Sequence, residues 1–560
     1  MSRKENKKDK RLSEQILDQY HTYESQASGR ISQYDENIKW FNGNQDIMFK
    51  EGRQPWQPKV LANIIEANIR TLTSVLSDSN PILRVQSFPL TGVDEQDPEL
   101  LKKIAMFNEA NDNVLNHVWR VTDSRRKLKK VILDGCLTGL MVSRCYWDEY
   151  AYGGLGEVGD ENIHPRYIFF DEKVQDLNIE DGSCDWFMYV IEKPLTWFSY
   201  YWPDAKVKPT ENTKRQPSHM QMGLYIEAYK SDWEIQEDKN VGEDGIVKTS
   251  RNPKYPKGRK VLVGGDVILE DGPMDYFPFA VEPIADASES LFGRDDVYRQ
   301  ISMQQDLNWK MCQLSTIISL SANRQVIADD ECGVNVEELI EKYMDKPAQL
   351  FSLQGGKSLE DFHKHFEILD GPPVPQEAFS YIFTMLEMLE KVTGVTKLVQ
   401  GMAAKKERET AFEVGKMLET ATIRIRDRAG HIEAYLRQKG LNWMYLISQN
   451  YKEPRPVWHT NAETGQMQVN TYEFPSEKNM ITGMSEPIQW EFDIVVQPDS
   501  TLPTDLNSKA NLAMRLKERG VISNEEVLKQ LQVTNWQALP DQVEGPASQP
   551  APPPPPQAVG

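Results

Sequence analysis

The sequence predicts an α+β chain of several domains. Its 560 residues exceed what one hydrophobic core organises. Residues 162–285 are dominated by β-branched and aromatic runs between Pro, Gly and Asp breaks, which read as short strands. The segments before and after it carry mainly the three- and four-residue apolar spacing of helices. Apolar residues at 39% and charged residues at 26% describe a globular chain with enough material for real cores.

In chain order, residues 12–40 read as a helix, with Ile16, Leu17, Tyr20 and Tyr23 on it and Gly43-Asn44 ending it. A second helix is expected over 59–76, from the stripe Ile64, Ile65, Ile69, Leu72 and Leu76. Asn80-Pro81 stops it, and 82–85 reads as a strand. A third helix is expected over 98–133, followed after Asp134-Gly135 by a strand over 139–148. Strands are then expected at 167–170, 186–191 and 224–229, with a hairpin of 261–263 and 267–269 around Gly264-Gly265-Asp266. Helical character returns at 295–321, where Val297, Ile301, Met311, Leu314 and Ile318 form an apolar stripe. A mixed segment, 325–371, is broken by Gly355-Gly356 and Gly371-Pro372-Pro373. The helix 377–392 has Phe379, Ile382, Phe383, Leu386 and Leu389 on one face. Beyond a glycine-flanked loop, 394–402, a long helix is expected over 410–451, with Gly430 or Gly440 as places for a bend. A strand at 488–496, helices within 507–531 split at Gly520, and a proline-rich tail from 542 complete the reading. The tail, with Pro552 to Pro556 in a row, has nothing with which to pack a core.

Several function classes are disfavoured. A net charge of −20 does not fit a chain built to grip nucleic acid, because phosphate binding needs clustered Lys and Arg. The same charge suits a surface that DNA passes without sticking. The five cysteines, Cys136, Cys145, Cys184, Cys312 and Cys332, have no CxxC spacing and predict neither a disulfide framework nor a zinc site. A reduced, intracellular origin is the expectation. Residues 1–11 are basic but no apolar core follows, so no signal peptide is expected. The richest apolar stretch, 311–322, is interrupted by Gln313, Ser315, Thr316, Ser319 and Ser321, and no membrane span is expected.

The order of elements is the informative feature. Two helices, 295–321 and 377–392, bracket a compact mixed insert, and a loop and a very long helix follow directly. Short words accompany this order. They are Trp40-Phe41-Asn42-Gly43-Asn44-Gln45, Phe277-Pro278-Phe279, Ser290-Leu291-Phe292-Gly293-Arg294-Asp295-Asp296-Val297, Gln304-Gln305-Asp306-Leu307-Asn308 and Glu409-Thr410-Ala411. From Trp40 to Leu531 the chain resembles the portal protein (head-to-tail connector) family of tailed bacteriophages.

That resemblance implies a phage portal fold: a mixed α/β wing, a two-helix stem, a small α/β clip insert, a long wing helix and a helical C-terminal crown. The implied division is 1–290 for the N-terminal region and wing, 291–324 and 373–393 for the stem helices, and 325–372 for the clip. A tunnel loop at 394–409, the long helix and returning wing strands at 410–500, crown helices at 501–541 and a disordered tail at 542–560 follow. It also implies a non-enzymatic ring, of twelve subunits in the virion, at one capsid vertex. Double-stranded DNA would pass non-specifically during packaging and ejection. The implied partners are a terminase motor, major capsid and scaffold proteins, and head-completion or tail adaptor proteins, with assembly in the host cytoplasm and no cofactor. The rival readings are another virion assembly or adaptor protein and a metal-dependent nuclease.

Each candidate site has a plain reading beside the functional one. The stem stripes are ordinary core in the plain reading, whereas the resemblance adds a neighbouring subunit on the opposite face. Lys397, Lys405, Lys406 and Arg408 are either a solvated charge cluster at a helix start or a loop touching DNA phosphates. Asp329, Asp330, Glu331, Glu337, Glu338 and Glu341 form an acidic run in the insert, where the resemblance implies docking of the motor and later proteins. Gly355-Gly356-Lys357-Ser358 ends like a P-loop, but Phe351 stands where the first Gly is required, so a turn is expected and no nucleotide site. His363 and His365, with Cys332 and Asp361 as conceivable further ligands, read as a surface pair rather than metal ligands, since no third ligand has recognisable spacing. Asp171, Glu172, Asp181 and Asp185 are the acids a metal nuclease would use, and their plain reading is loop-edge acids beside strands.

Overall fold

The computed structural model describes residues 5–45, 58–78, 81–89, 98–211, 216–236, 248–322, 325–328, 360, 364, 366–369, 373–394, 423–460, 467–472 and 490–496. Contacts divide the chain into two units, 1–458 with 470–502, and 459–469 with 503–560. The described part of the second unit is the ends of two strands, and the fold below is that of the first.

The N-terminal helix α1 (Glu5–Phe41) lies across a five-stranded antiparallel sheet. In order across the sheet the strands are β10 (Val267–Pro273), β9 (Arg259–Gly264), β6 (Met222–Lys230), β5 (Trp186–Pro194) and β4 (Ile168–Phe169). Strand alternation sends Trp186, Met188 and Val190 of β5 towards Ile16, Tyr20, Tyr23 and Ala27 of α1. Phe187 and Tyr189 go to the other face, where they meet Leu140, Val142, Phe279 and Val281. Those residues belong to a three-stranded sheet, β11 (Phe279–Pro283), β2 (Leu140–Asp148) and β3 (Glu157–Asn162). β5 is buried on both faces, which explains its unbroken apolar run.

The far face of the three-stranded sheet carries Met141 and Cys145 into the largest core. That core is built by α2 (Ile64–Ser77), α3 (Pro98–Val121), α4 (Ser124–Thr138) and a long helix, Ile423–Asn450, labelled α8 below. Tyr435, Leu436, Trp443, Met444 and Ile447 form its buried stripe. Gly440 lies inside this helix, and a Cβ there would come within 3.0 Å of Ile494 in β16 (Trp490–Val496), which pairs with β1 (Leu83–Pro89). The first unit is thus layered as helix, sheet, sheet and helices, a mixed α+β architecture.

The structure corrects several sequence expectations. The helix over 98–133 is two helices, α3 and α4, separated at Thr122-Asp123, where Asp123 takes a left-handed φ of 53°. α4 continues through Gly135 to Thr138, because Gly139 at φ +89° is the residue that stops it. The second helix begins at Ile64 rather than 59, where Asn63 caps it by accepting from Glu66 N. A short aromatic helix, α5 (Leu195–Tyr201), was not anticipated among the strands, and the 167–170 strand shortens to β4 behind a 3₁₀ turn. Strands β7 (Trp233–Gln236) and β8 (Lys248–Arg251) pair separately.

Beyond β11 come α6 (Tyr298–Ala322), β12 (Gln325–Ala328), β13 (Phe366–Leu369) and α7 (Gln376–Thr393), ahead of α8. β12 and β13 pair antiparallel, Gln325 opposite Leu369. The two ends of the segment between α6 and α7 are therefore tied together. Strands β14 (Arg455–Thr460) and β15 (Met467–Tyr472) follow α8.

Candidate functional site

Two glycines set the approach to α6. Gly139 and Gly293 cross so closely that a Cβ on Gly293 would stand 2.3 Å from Gly139 O, and one on Gly139 2.6 Å from Phe292 O. Both have positive φ. Phe292 stacks on Phe170 at 4.4 Å, and the Arg30 guanidinium covers its ring at 3.7 Å. Asp295 then starts the helix, its Oδ1 accepting from Val297 N at 3.1 Å and Tyr298 N at 2.7 Å.

Beside the apolar Ile301, Leu307 and Leu314, the start and first half of α6 bury a largely polar stripe. Asp296, Gln300, Gln304, Asn308 and Cys312, spaced by four, are all buried. Asp296 ion-pairs with Arg428 of α8, both almost wholly inside. Burial pushes the Asp296 carboxyl up, and the Arg428 charge acts against that. Gln300 accepts from Asn68 Nδ2 at 3.0 Å. Gln304 accepts from Ile64 N at 3.2 Å and donates to Ala62 O. Asn308 accepts from Ala62 N at 3.2 Å and donates to Gln45 Oε1. Gln45 also donates to Trp40 O at 3.2 Å and Asn63 Oδ1 at 3.1 Å, while Asn63 donates to Phe41 O at 2.8 Å. The word 40–45 and the distant words 290–297 and 304–308 meet on one polar anchor. Phe277-Pro278-Phe279 lies beside the sheets instead, where Pro278 O accepts from Cys145 N at 2.8 Å.

Beyond the anchor, α6 and α7 pack on each other, and Tyr381 OH donates to Asp306 Oδ2 at 2.7 Å. Of the expected stem stripe, Val297 is buried just before the helix, Ile301 and Leu314 are buried, and Met311 is half-buried. Ile318 is 44% exposed. On α7, Leu389 is buried and Ile382 and Leu386 are half-buried, but Phe379 is 42% and Phe383 65% exposed. Trp309, Met388 and Val392 are exposed as well. A monomer leaves this pair with a large apolar surface.

Over residues 255–481, about two fifths of the chain, the sequence matches the family model described as the phage SU10 portal protein. Over that stretch the chain is similar to a tailed-phage portal protein family. No curated protein matches it. The family match runs from before β9 to beyond β15, so it contains α6, α7 and α8 and the polar anchor's α6 side.

Lys397, Lys405, Lys406 and Arg408 lie outside the described residues, as do Cys332, Asp361, His363, His365, the acidic run of the insert and Gly355-Gly356-Lys357-Ser358. So do the helices expected within 507–531 and the proline-rich tail. The acids a nuclease would use are engaged locally. Asp171 Oδ1 accepts from Lys173 N at 3.0 Å, Asp181 Oδ1 from Ser183 N at 2.8 Å, Asp185 Oδ1 from Ser231 Oγ at 3.2 Å, and Glu172 pairs with Arg30. Among the described residues no three His, Cys, Asp or Glu side chains form a metal-holding group, and no helix is long and apolar enough to cross a membrane. Cys136, Cys145, Cys184 and Cys312 are unpaired and buried, and burial pushes the Cys184 thiol up to about 12.

Sequence reasoning missed Gln45, Asn68, Asp296, Gln300, Gln304, Asn308 and Arg428 as a set. The signal was present as polar residues at intervals of four through 296–308, a period that a search for apolar stripes passes over.

Proposed function

We propose that the protein is the ring subunit of a phage portal, through which double-stranded DNA is packaged and later ejected. The observation that carries this reading is the exposed apolar face of α6 and α7, within a segment that matches a portal family. In a closed cyclic ring each copy covers the next, so such a face becomes buried without a second kind of partner.

In this reading α6 and α7 are the stem, and the segment tied off by β12 and β13 is the clip, facing the terminase motor and then the head-completion and tail adaptor proteins. The layered sheets and α8 form the wing. Residues 501–541 form the crown inside a shell of capsid and scaffold proteins. The ring does no chemistry, and the energy for packaging comes from the separate motor. A net charge of −20 on every copy keeps phosphate from adhering to the channel. Lys397, Lys405, Lys406 and Arg408 touch the passing phosphates from the tunnel loop.

Replacing Phe379 and Phe383 with Glu tests the reading. Both side chains are exposed in the monomer, so its fold and melting temperature should be retained while the mass in solution falls from that of a ring to that of single copies. Rings that persist in the double variant would sink the stem assignment.

A further inference from the structure

The net charge of −20 hides a local exception. α4 places five cations in six positions, Arg125, Arg126, Lys127, Lys129 and Lys130. Helical period sends Leu128, Val131 and Ile132 into the core and leaves Arg125, Arg126, Lys129 and Lys130 exposed together on the opposite face. Lys127 is half-buried and donates to Asp160 O.

This arrangement works against the helix. Arg125 with Lys129, and Arg126 with Lys130, are like charges four residues apart, which repel. They stand at the end where the helix dipole favours anions, and the first turn holds no acid. Asp123 supplies no side-chain cap there, and its carboxylate instead pairs with Arg126, an exposed pair of little worth. Arg125, Lys129 and Lys130 have no ion pair among the described residues. Asp134, the one acid within α4, is half-buried, and burial pushes its carboxyl up to about 6. Local rules broken together, with no gain inside the fold, mark a surface kept for a ligand.

The chemistry of the face selects the ligand. α4 exposes no large apolar side chain. A protein partner needs aromatic or apolar anchors at the centre of its contact, where lysine is depleted. A row of cations at a helix N-terminus suits phosphates instead. The acidic remainder of the chain does not cancel it, because at 0.1 M salt fields between exposed charges fade over about 10 Å.

We propose that Arg125, Arg126, Lys129 and Lys130 form a binding face for the phosphate backbone of duplex DNA, outside the α6–α7 pair and without sequence readout. That the ligand is a phosphate backbone follows from the face itself. That it is duplex DNA rests on the portal reading. With one phosphate neutralised per cation, four give a log–log dependence of affinity on salt with a slope of about −3.6.

The test uses the full chain, in whatever assembly it forms, and a short labelled duplex of mixed sequence followed by fluorescence anisotropy from roughly 50 to 200 mM salt. The parent carries Lys405→Ala, Lys406→Ala and Arg408→Ala, so that these cations do not supply the binding. Adding Arg125→Gln, Lys129→Gln and Lys130→Gln should make the slope shallower by about 2.7 and weaken binding roughly tenfold or more at the lowest salt. The melting temperature should hold or rise, because the repulsion is relieved, whereas a structural role would lower it. Arg125→Lys with Lys129→Arg and Lys130→Arg should bind like the parent. No duplex binding at the lowest salt, or an unchanged affinity and slope in the Gln variant, would overturn the proposal. So would an assembly that falls apart in the Gln variant while DNA binding persists, since the cations would then serve the next copy. The mass in solution reports the portal reading separately. A single copy that binds DNA through α4 keeps this site and removes the ring, and a ring whose α4 variant binds DNA unchanged does the reverse.

Discussion

Arg428 and Asp296 show how much rests on single residues. Each is almost wholly buried and each neutralises the other, at the point where α8 meets the start of α6. Removing one partner strands a charge, which costs roughly 3–5 kcal/mol. Arg428→Ala should therefore lower the denaturation midpoint sharply, whereas Arg428→Met combined with Asp296→Leu should recover most of the loss. Two histidines give opposite pH dependences. Burial lowers His164 from 6.5 to about 4, with the Arg166 charge adding to it. The unfolded chain then binds the proton first, so stability falls as pH drops from 6.5 towards 4. His164→Asn, which keeps an acceptor for Arg166 N, should flatten that part of a stability–pH curve. His431 is raised by its hydrogen bond to Glu282, so its contribution is present below 6.5 and is lost as pH rises through its shifted value. His431→Leu should remove that loss on the neutral side. None of these roles was legible in the sequence, because a buried polar residue has the composition of a surface one and is identified only by its distant partner.

Elements were more legible than residues where one physical signal acted alone. The hairpin at Gly264-Gly265-Asp266 and the face of α7 follow from turn chemistry and helical period, and both are present. The break at Thr122-Asp123 carries neither Gly nor Pro. It depends on Asp tolerating a left-handed φ and on Thr122 Oγ1 bonding back to Val118 O. α5 was hidden because Trp197, Phe198, Tyr200 and Tyr201 have strand-forming side chains. The Gly139–Gly293 crossing was legible only as a word and not as a contact. Its prediction is direct. Gly293→Ala should destabilise by at least the roughly 1–3 kcal/mol that a strained φ costs, and more through the clash with Gly139 O, as read by chemical denaturation. Gly153→Ala, also at positive φ but with open space around it, isolates the conformational part.

For the whole molecule, the order of helices, insert and long helix carried more information than any motif, and the family match falls on that stretch. Composition could not say which apolar stripe faces a core and which faces a neighbour, since both use the same side chains. In the folded chain Phe379 and Phe383 stand exposed and are not part of its core. Changing Lys405, Lys406 and Arg408 to Ala should leave rings intact and reduce DNA packaging, and unchanged packaging would remove the tunnel loop from the account. The most direct test of the ring itself is the mass of the purified chain in solution, followed by imaging of the particles, alone and with its capsid partners. Twelve copies of 64.4 kDa give roughly 770 kDa, and the account predicts closed rings of about that mass with a central hole. A chain that stays monomeric or dimeric even with its capsid partners would contradict it.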